Sequence, residues 1–252
     1  MKPWNPSSLW PVLAASVVTI AGLTACTGAK SHAPSGLAAL PAASILEKLV
    51  ATTSTAGPMH VNVIIRAGSR TVTYSDDSLP DSGRQVIAIS NGGHAVVLVL
   101  NNIGYVRANS EALRTFFGFP AEGAARFAGR WISFKQRQPG YQAVTAGVTV
   151  PGVISELRLR APLSKLPAST TGGSLVVRIR GVAPAIEGAP PRATAVIDVA
   201  ATGRVLPVSM QTSFGNDRSV TTFSNWGETV HISAPVNPVP ISSVLQSGPS
   251  IE

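Results

Sequence analysis

The side chains that could support acid–base, nucleophilic or metal chemistry are few in this 252-residue chain, and they are scattered. The sequence contains no Gly-x-Ser-x-Gly turn, no phosphate-binding loop and no Gly-x-Gly-x-x-Gly segment.

The one acidic cluster of the sequence lacks the residue order of a calcium loop, and we expect it to be a solvated loop. That cluster is Asp76, Asp77 and Asp81. No histidine lies at metal-ligand spacing from another histidine or an acid. The four histidines are His32, His60, His94 and His231. The sequence therefore predicts no enzyme, no metal site and no cofactor, and an acid–base pair of dispersed carboxylates is the weaker alternative.

Cys26 is the one reactive side chain whose surroundings define a chemistry. It is the only cysteine, and the preceding Leu23-Thr24-Ala25 resembles the bacterial lipobox, in which the chain is cleaved before a cysteine whose thiol receives a diacylglyceryl group. Residues 9–25 are apolar apart from Ser16, Thr19 and Thr24, and they are shorter than the roughly 20 residues of a spanning helix, so they fit an export segment. We therefore expect residues 1–25 to be a signal peptide. Acyl chains such as palmitate on Cys26 would anchor the protein on the extracytoplasmic face of the cell membrane. The alternative is a buried thiol after an uncleaved anchor.

The chain contains 20 basic and 12 acidic residues, which gives a net charge of +8. Nucleic acid is not an expected partner, because the chain is predicted to be exported. Arg178 and Arg180 are separated by two positions, so a strand would project both from one face. Guanidinium groups match phosphate geometry, and we expect this pair to contact lipid headgroups. The alternative is that such arginines only keep the outer sheet face soluble.

The alternation of apolar residues predicts mainly strands in the first half of the chain. Helical spacing marks one amphipathic helix at 41–53, and a period of two begins at Met59. Strands are expected at 59–65, 70–74, 85–90, 95–100, 104–108 and 131–134, with a polar loop at 76–83. Helical pieces are expected at 110–117 and 122–127, whereas residues 141–160 are ambiguous, with a helix at 153–159 as one interpretation.

The second half of the chain reads as an antiparallel meander followed by a proline-rich tail. Strands are expected at 175–182, 193–200, 206–214, 220–225 and 229–234. Four prolines after residue 234 indicate a segment that does not continue a sheet. The expected organisation is a flexible tether at 26–40, one domain at 41–236 and a tail at 237–252.

Three segments give this order of elements a family resemblance. They are Gly104-Tyr105-Val106-Arg107-Ala108-Asn109, Ala128-Gly129-Arg130-Trp131-Ile132 and Phe223-Ser224-Asn225-Trp226-Gly227. Together they resemble the LppX/LprG-type lipoproteins of actinobacteria, which share the fold of the carrier LolA. The resemblance implies an α+β fold in which an antiparallel half-barrel sheet has helices over its concave face. It also implies that some members enclose an apolar cavity for acyl chains.

A cavity and an ordinary packed core are both compatible with the apolar residues that face the helices. The segment Ala95–Leu100, for example, is apolar on both faces, which predicts a covered sheet. The residues expected to line a cavity are Val61, Val63, Val97, Val99, Phe116, Phe117 and Phe127. The predicted function is a monomeric, membrane-anchored lipoprotein that binds or carries acylated envelope lipids. The alternative is an envelope sensor or protein-interaction module with the same fold and no cavity.

Overall fold

The structure, a computed structural model, describes residues 36–184 and 193–246. The predicted signal peptide, Cys26 and most of the predicted tether lie outside these residues. The strands are β1 (Met59–Ala67), β2 (Arg70–Ser78), β3 (Gly83–Ile89), β4 (His94–Leu100), β5 (Ile103–Ala108), β6 (Ile132–Lys135), β7 (Arg160–Thr171), β8 (Ser174–Val182), β9 (Thr194–Ala200), β10 (Pro207–Phe214), β11 (Asp217–Ser224) and β12 (Val239–Pro240). The helices are α1 (Ala42–Ser54), α2 (Ser110–Thr115), α3 (Ala121–Phe127), α4 (Tyr141–Thr145), α5 (Val150–Leu157) and α6 (Ile241–Gln246), and a 3₁₀ turn at Gly36–Ala39 precedes them.

All twelve described strands form one sheet in the order β12-β6-β5-β4-β3-β2-β1-β11-β10-β9-β8-β7. Neighbouring strands are antiparallel except β12 and β6, and the sheet does not close on itself. Short turns connect most neighbours. Between β4 and β5, for example, Asn101 and Asn102 both have positive φ (52° and 58°), as a two-residue hairpin turn requires. The predicted fold class, an α+β half-barrel with an open antiparallel sheet, is confirmed.

The helices pack on one face of the sheet in two groups, which create two apolar clusters. In the first cluster, α1 and α5 pack on β1 and β8–β11 through residues such as Ile45, Leu157 and Ile197, each fully buried. In the second cluster, α2, α3, α4 and α6 pack on β2–β6 through residues such as Leu113 and Ile132. Because side chains alternate along a strand, the sheet has a helix-covered face and an outer face. No helix among the described residues is both long enough and apolar enough to span a membrane.

The predicted polar loop at 76–83 is wrong in its first half. β2 continues to Ser78, and Asp76 is buried at 3% exposure on the helix-covered face. Asp77 alternates to the outer face. The run of polar residues obscured an unbroken strand because its inward-facing position also carries a charged side chain.

Prolines also obscured two strands at the sheet edges. The sequence does not predict β7, yet it is the edge strand, and its pairing with β8 shifts register around Pro162 and Pro167. Proline is tolerated there because an edge strand and a bulge leave N–H groups unpaired. At the opposite edge, Val239–Pro240 pairs in parallel with β6, and α6 follows, so the expectation that the tail does not extend the sheet is wrong. The strand expected at 229–234 is absent from the described structure.

Candidate functional site

A cavity of about 330 Å³ lies on the helix-covered face of the sheet, between the two apolar clusters. Its floor comes from β1–β4, β10 and β11, and its walls come from residues near the end of α2 and from α4, α5 and the segment that joins them. Most of its lining is apolar, and none of the described lining residues is basic. Such a volume lies at the lower end of the roughly 300–1,000 Å³ typical of ligand pockets.

Five of the seven residues expected to line a cavity lie in this one. They are Val61, Val63, Val97, Phe116 and Phe117. Val99 and Phe127 are instead buried in the second cluster, each with 4% exposure. Strand alternation identifies the face on which a residue lies, but it does not indicate which part of that face a helix covers.

Phe116 and Phe117 reach the cavity because α2 is short and has a capped N-terminus. The Asn109 carboxamide oxygen accepts a hydrogen bond from the backbone N–H of Ala112 at 2.9 Å, which caps the helix. The helix ends at Thr115, and the rings of Phe116 and Phe117 then meet edge to face with centroids 5.1 Å apart. This arrangement places a rigid aromatic wall over the sheet.

The opposite wall depends on close backbone contacts that only glycine permits. A Cβ on Gly83 would lie on top of the carbonyl of Val148, and one on Gly104 would come within 2.9 Å of Thr145. The backbone N–H of Val150 also donates to the carbonyl of Leu79 at 3.0 Å. These contacts hold α4, α5 and their linker directly against the sheet.

One part of the cavity is polar, and none of the basic residues that the structure describes lines the cavity beside its carboxyl groups. Asp76 on β2 and Glu156 on α5 both line it, together with Tyr74 and Gln85. The Asp76 Oδ2 atom accepts a long hydrogen bond of 3.4 Å from the Gln85 amide, and Oδ1 has no partner. Glu156 is partly accessible, and its carboxylate lies 3.0 Å from where a Cβ on Gly147 would stand.

This environment disfavours ionisation of all three acidic groups. Burial is the main cause that raises the pKa of Asp76 to about 7; the Gln85 hydrogen bond lowers this pKa, and the negative charge of Glu156 raises it. Burial likewise raises the pKa of Glu156 to about 7. The pKa of Tyr74 lies above its usual range, because of burial and then the charges of Asp76 and Glu156. Both carboxyl groups therefore change charge near neutral pH.

Sequence reasoning missed this polar group for two different reasons. Asp76 was expected in a solvated loop, although the alternation of Val72, Tyr74 and Asp76 on β2 could have indicated that it faces inward. Glu156 lies in the segment 141–160 that the sequence left ambiguous. The structure resolves that segment into α4 and α5, and Glu156 lies beside the apolar residues Val153 and Leu157 on α5.

Arg178 and Arg180 lie on the outer face of β8, away from the cavity. They alternate with Val177 and Ile179, which are buried under α1. The guanidinium of Arg178 donates to the carboxylate of Asp198 at 3.0 Å, and Arg180 is exposed. A headgroup at this pair would therefore belong to a surface outside the sheet and not to a molecule whose chain fills the cavity.

A second polar cluster lies on the outer face, where His60 on β1 meets Asp77 on β2. The His60 Nδ1 atom and an Asp77 carboxylate oxygen are 2.8 Å apart, and the Ser75 hydroxyl lies 3.4 Å from Nε2. Glu228 comes within 4.8 Å of the first two groups, so a cation could be held there. The nearby Arg84 guanidinium, 3.7 Å from Asp77, supplies a positive charge instead. Strand pairing brings these residues together across 17 positions, which spacing in the sequence did not reveal.

Comparison with known proteins identifies solved structures that share this fold. No protein-family model matches the sequence, and no curated protein matches it significantly. Among solved structures, LprF from Mycobacterium bovis is 15% identical with a TM-score of 0.52, over 77% of this chain and 96% of that chain. The lipoprotein LppX from Mycobacterium tuberculosis is 16% identical with a TM-score of 0.52, over 76% of this chain and 98% of that chain. At such identities the likeness concerns the fold alone, and the chain has the LppX/LprG-type, LolA-like fold that its sequence resembles.

Proposed function

We propose that this chain is a membrane-anchored lipoprotein, on the extracytoplasmic face of the cell membrane, that binds or carries acylated lipids of the envelope. The observation that carries the proposal is the apolar cavity between the helices and the sheet. Two further facts support it: the lipobox-like sequence at Cys26, and a fold shared with LppX, which is itself a lipoprotein. The proposal includes a monomeric, non-enzymatic protein whose anchor keeps the cavity near its donor membrane.

The size of the cavity limits what it holds. A buried methylene is similar in size to a water molecule, which occupies about 30 Å³ in the liquid. The 330 Å³ cavity therefore accommodates a single chain of about ten carbons. Each buried methylene contributes about 0.8 kcal/mol, so burial of such a chain supplies the driving force for binding. Larger acylated lipids would leave their remaining chains and headgroup outside.

Neighbouring residues on β1 allow a matched test of the cavity. Val63 lines the cavity, whereas the adjacent Ile64 is 37% exposed on the outer face. A phenylalanine at position 63 would project into the cavity, while one at position 64 would project into solvent. The comparison of Val63→Phe with Ile64→Phe therefore changes cavity volume at constant side-chain chemistry.

Bound lipid is measured by native mass spectrometry after the protein is incubated with phospholipid vesicles. The chain from residue 26 onward with Cys26→Ala avoids signal from a covalent acyl group. We expect the protein to take up one acyl-chain molecule, Val63→Phe to retain less than one-tenth of it, and Ile64→Phe to match the parent. Absence of uptake by the parent protein contradicts the proposal and favours the sensor or protein-interaction module.

The anchor has its own measurement. Mass analysis of the N-terminal peptide of the membrane-extracted native protein is expected to show a chain that starts at Cys26 and carries acyl groups. The Cys26→Ala variant of the full-length chain is expected to carry none. An unmodified Cys26 in the native protein contradicts the lipidation.

A further inference from the structure

We propose that the cavity takes a basic amphiphile, a single apolar chain that ends in a protonated amine, with the amine held by the carboxyl groups of Asp76 and Glu156. This inference rests on the proposed function, because it uses the same cavity and the same burial of an apolar chain, and it adds a polar group that the cavity itself selects. It follows from three observations: an unpartnered buried carboxylate oxygen, a second carboxyl group that lines the same cavity, and the absence of basic side chains among the described lining residues.

The unpartnered oxygen is the first observation. Asp76 is 3% exposed, and its Oδ1 atom has neither a protein donor nor contact with bulk water. Buried polar atoms are normally hydrogen-bonded, and an exception calls for a missing partner. The torsion that turns a carboxyl group is soft, so either oxygen of Asp76 can rotate towards a donor that enters the cavity.

The second carboxyl group decides what kind of donor fits. Glu156 comes from α5 and lines the same cavity as Asp76 on β2, and its negative charge is one of the causes that raise the pKa of Asp76. Two carboxyl groups in an apolar cavity repel each other when both are ionised. A hydroxyl group could satisfy one oxygen but would leave this repulsion, whereas an ammonium group offers three donors and a positive charge.

The other described residues around the pair offer no competing cation. Among the described residues that line the cavity, the polar ones are Tyr74, Gln85, Thr212, Ser219 and Thr221, and none is basic. Asp77, the other charged group that acts on Asp76, is also acidic. The chain as a whole nevertheless has a net charge of +8. General electrostatics would therefore attract an anionic amphiphile to this protein, so a preference for a cationic one must come from the cavity.

Three probes with the same chain separate these effects: decylamine, decanol and decanoate. Their dissociation constants are measured at pH 8 by calorimetry with the chain from residue 26 onward carrying Cys26→Ala. An alkylamine keeps its proton at this pH, as lysine does with its pKa of about 10.4. We expect decylamine to bind at least tenfold more tightly than decanol, and decanoate to bind most weakly. Butylamine is expected to bind at least tenfold more weakly than decylamine, since it buries fewer methylenes.

Variants assign the preference to the two carboxyl groups. Asp76→Asn combined with Glu156→Gln is expected to reduce the preference for decylamine over decanol below twofold while decanol still binds. Asp77→Asn changes the adjacent acid on the outer face and is expected to leave the preference intact. Lowering the pH from 8 to 5 is expected to weaken decylamine binding by roughly fiftyfold or more, because both Asp76 and Glu156 take up protons while Tyr74 is neutral at both pH values.

The outcomes distinguish the inference from the proposed function. Equal binding of decylamine, decanol and decanoate overturns the inference and leaves lipid binding in place, as does unchanged preference in the double variant. Equal binding of butylamine and decylamine also overturns it, because the chain would then play no part. If none of the decyl probes binds, the cavity is not a lipid site and the proposed function fails with the inference.

Discussion

Two aspartates, Asp76 and Asp198, are equally buried at 3% exposure, yet their surroundings differ completely. Asp198 lies on the outer face of β9, directly opposite Arg178 on β8 and Ser209 on β10. Its oxygens accept hydrogen bonds from Arg178, Ser209 and Thr171 at 2.9–3.0 Å. Asp76 faces the cavity with one long hydrogen bond from Gln85 and an oxygen without a partner.

The difference separates a carboxylate whose charge is compensated by its neighbours from one whose charge is not. Asp198 has a cation and two hydroxyl donors within the protein, so its charge is compensated where it stands. Asp76 has no cation beside it among the residues that the structure describes, and folding at neutral pH therefore leaves it poorly solvated. Burial alone does not distinguish the two residues, whereas the supply of donors does.

Removal of the compensated carboxylate is expected to have the largest effect on stability. Asp198→Ala leaves Arg178, Thr171 and Ser209 without their shared acceptor, and we expect the free energy of unfolding to fall by about 4 kcal/mol. Urea denaturation at pH 7 measures this change. Asp217→Ala, which removes a partly exposed aspartate that accepts one bond from the Gly68 N–H, is expected to cost less than about 1 kcal/mol. Equal losses of unfolding free energy in the two variants would show that the hydrogen bonds to Asp198 stabilise the protein no more than the single bond to Asp217.

The cavity carboxyls are expected to make the wild-type protein less stable as the pH rises. The folded-state pKa of Asp76 is raised from 3.8 to about 7, so its stabilising proton is retained at low pH and is lost as pH rises through 7. Asp76 alone is expected to lower the free energy of unfolding by about 3 kcal/mol between pH 5 and pH 8, and Glu156 acts in the same direction. Denaturation curves across this range measure the slope. A stability that rises with pH in this window would be the opposite of what we expect.

Neutralising Asp76 is expected to increase the free energy of unfolding, whereas a substitution of Asp198 is expected to decrease it. Asp76→Asn removes a charge that the cavity solvates poorly, so at pH 8 we expect the free energy of unfolding to increase by about 2 kcal/mol. At pH 5 the gain is expected to disappear, because the wild-type carboxyl is already protonated. Asp198→Asn, a matched change at equal burial, is expected to destabilise at both pH values. A loss of stability in Asp76→Asn at pH 8 would mean that the ionised form has a partner after all.

The smallest expected effect concerns one donor to Asp198. Thr171→Val removes the hydroxyl that donates to Asp198 at 2.9 Å and is expected to cost about 1 kcal/mol. Thr73→Val removes a hydroxyl with only a 3.4 Å bond to the carbonyl of Ala88 and serves as the control, with a change below about 0.5 kcal/mol. Thermal denaturation of the two variants provides the comparison, and a Thr171→Val protein as stable as the parent would show that the remaining donors suffice.

Periodicity predicted the architecture better than it predicted the cavity chemistry. Alternation along β1 was enough to place Val61 and Val63 on one face, because apolar side chains mark the covered side of a strand. The same rule fails at Asp76, where an inward position carries a charge and the strand therefore resembles a loop. Arg178 was expected at a headgroup, but its partner Asp198 is 20 positions away and becomes visible only when strands β8 and β9 pair. A buried carboxyl breaks the local pattern, and an ion pair between strands leaves no local signal, so the sequence alone does not reveal either of them.

Direct titration of Asp76 and Glu156 by carbon-13 NMR of their side-chain carboxyls, without and with decylamine, tests the central claim. We predict that both groups in the free protein titrate near pH 7, and that saturating decylamine lowers both pKa values by at least one unit, because the ammonium supplies the missing cation. Signals are assigned with Asp76→Asn and Glu156→Gln. An Asp76 carboxyl that titrates near its ordinary value of about 3.9 in the free protein, or whose pKa does not respond to bound decylamine, would contradict the account.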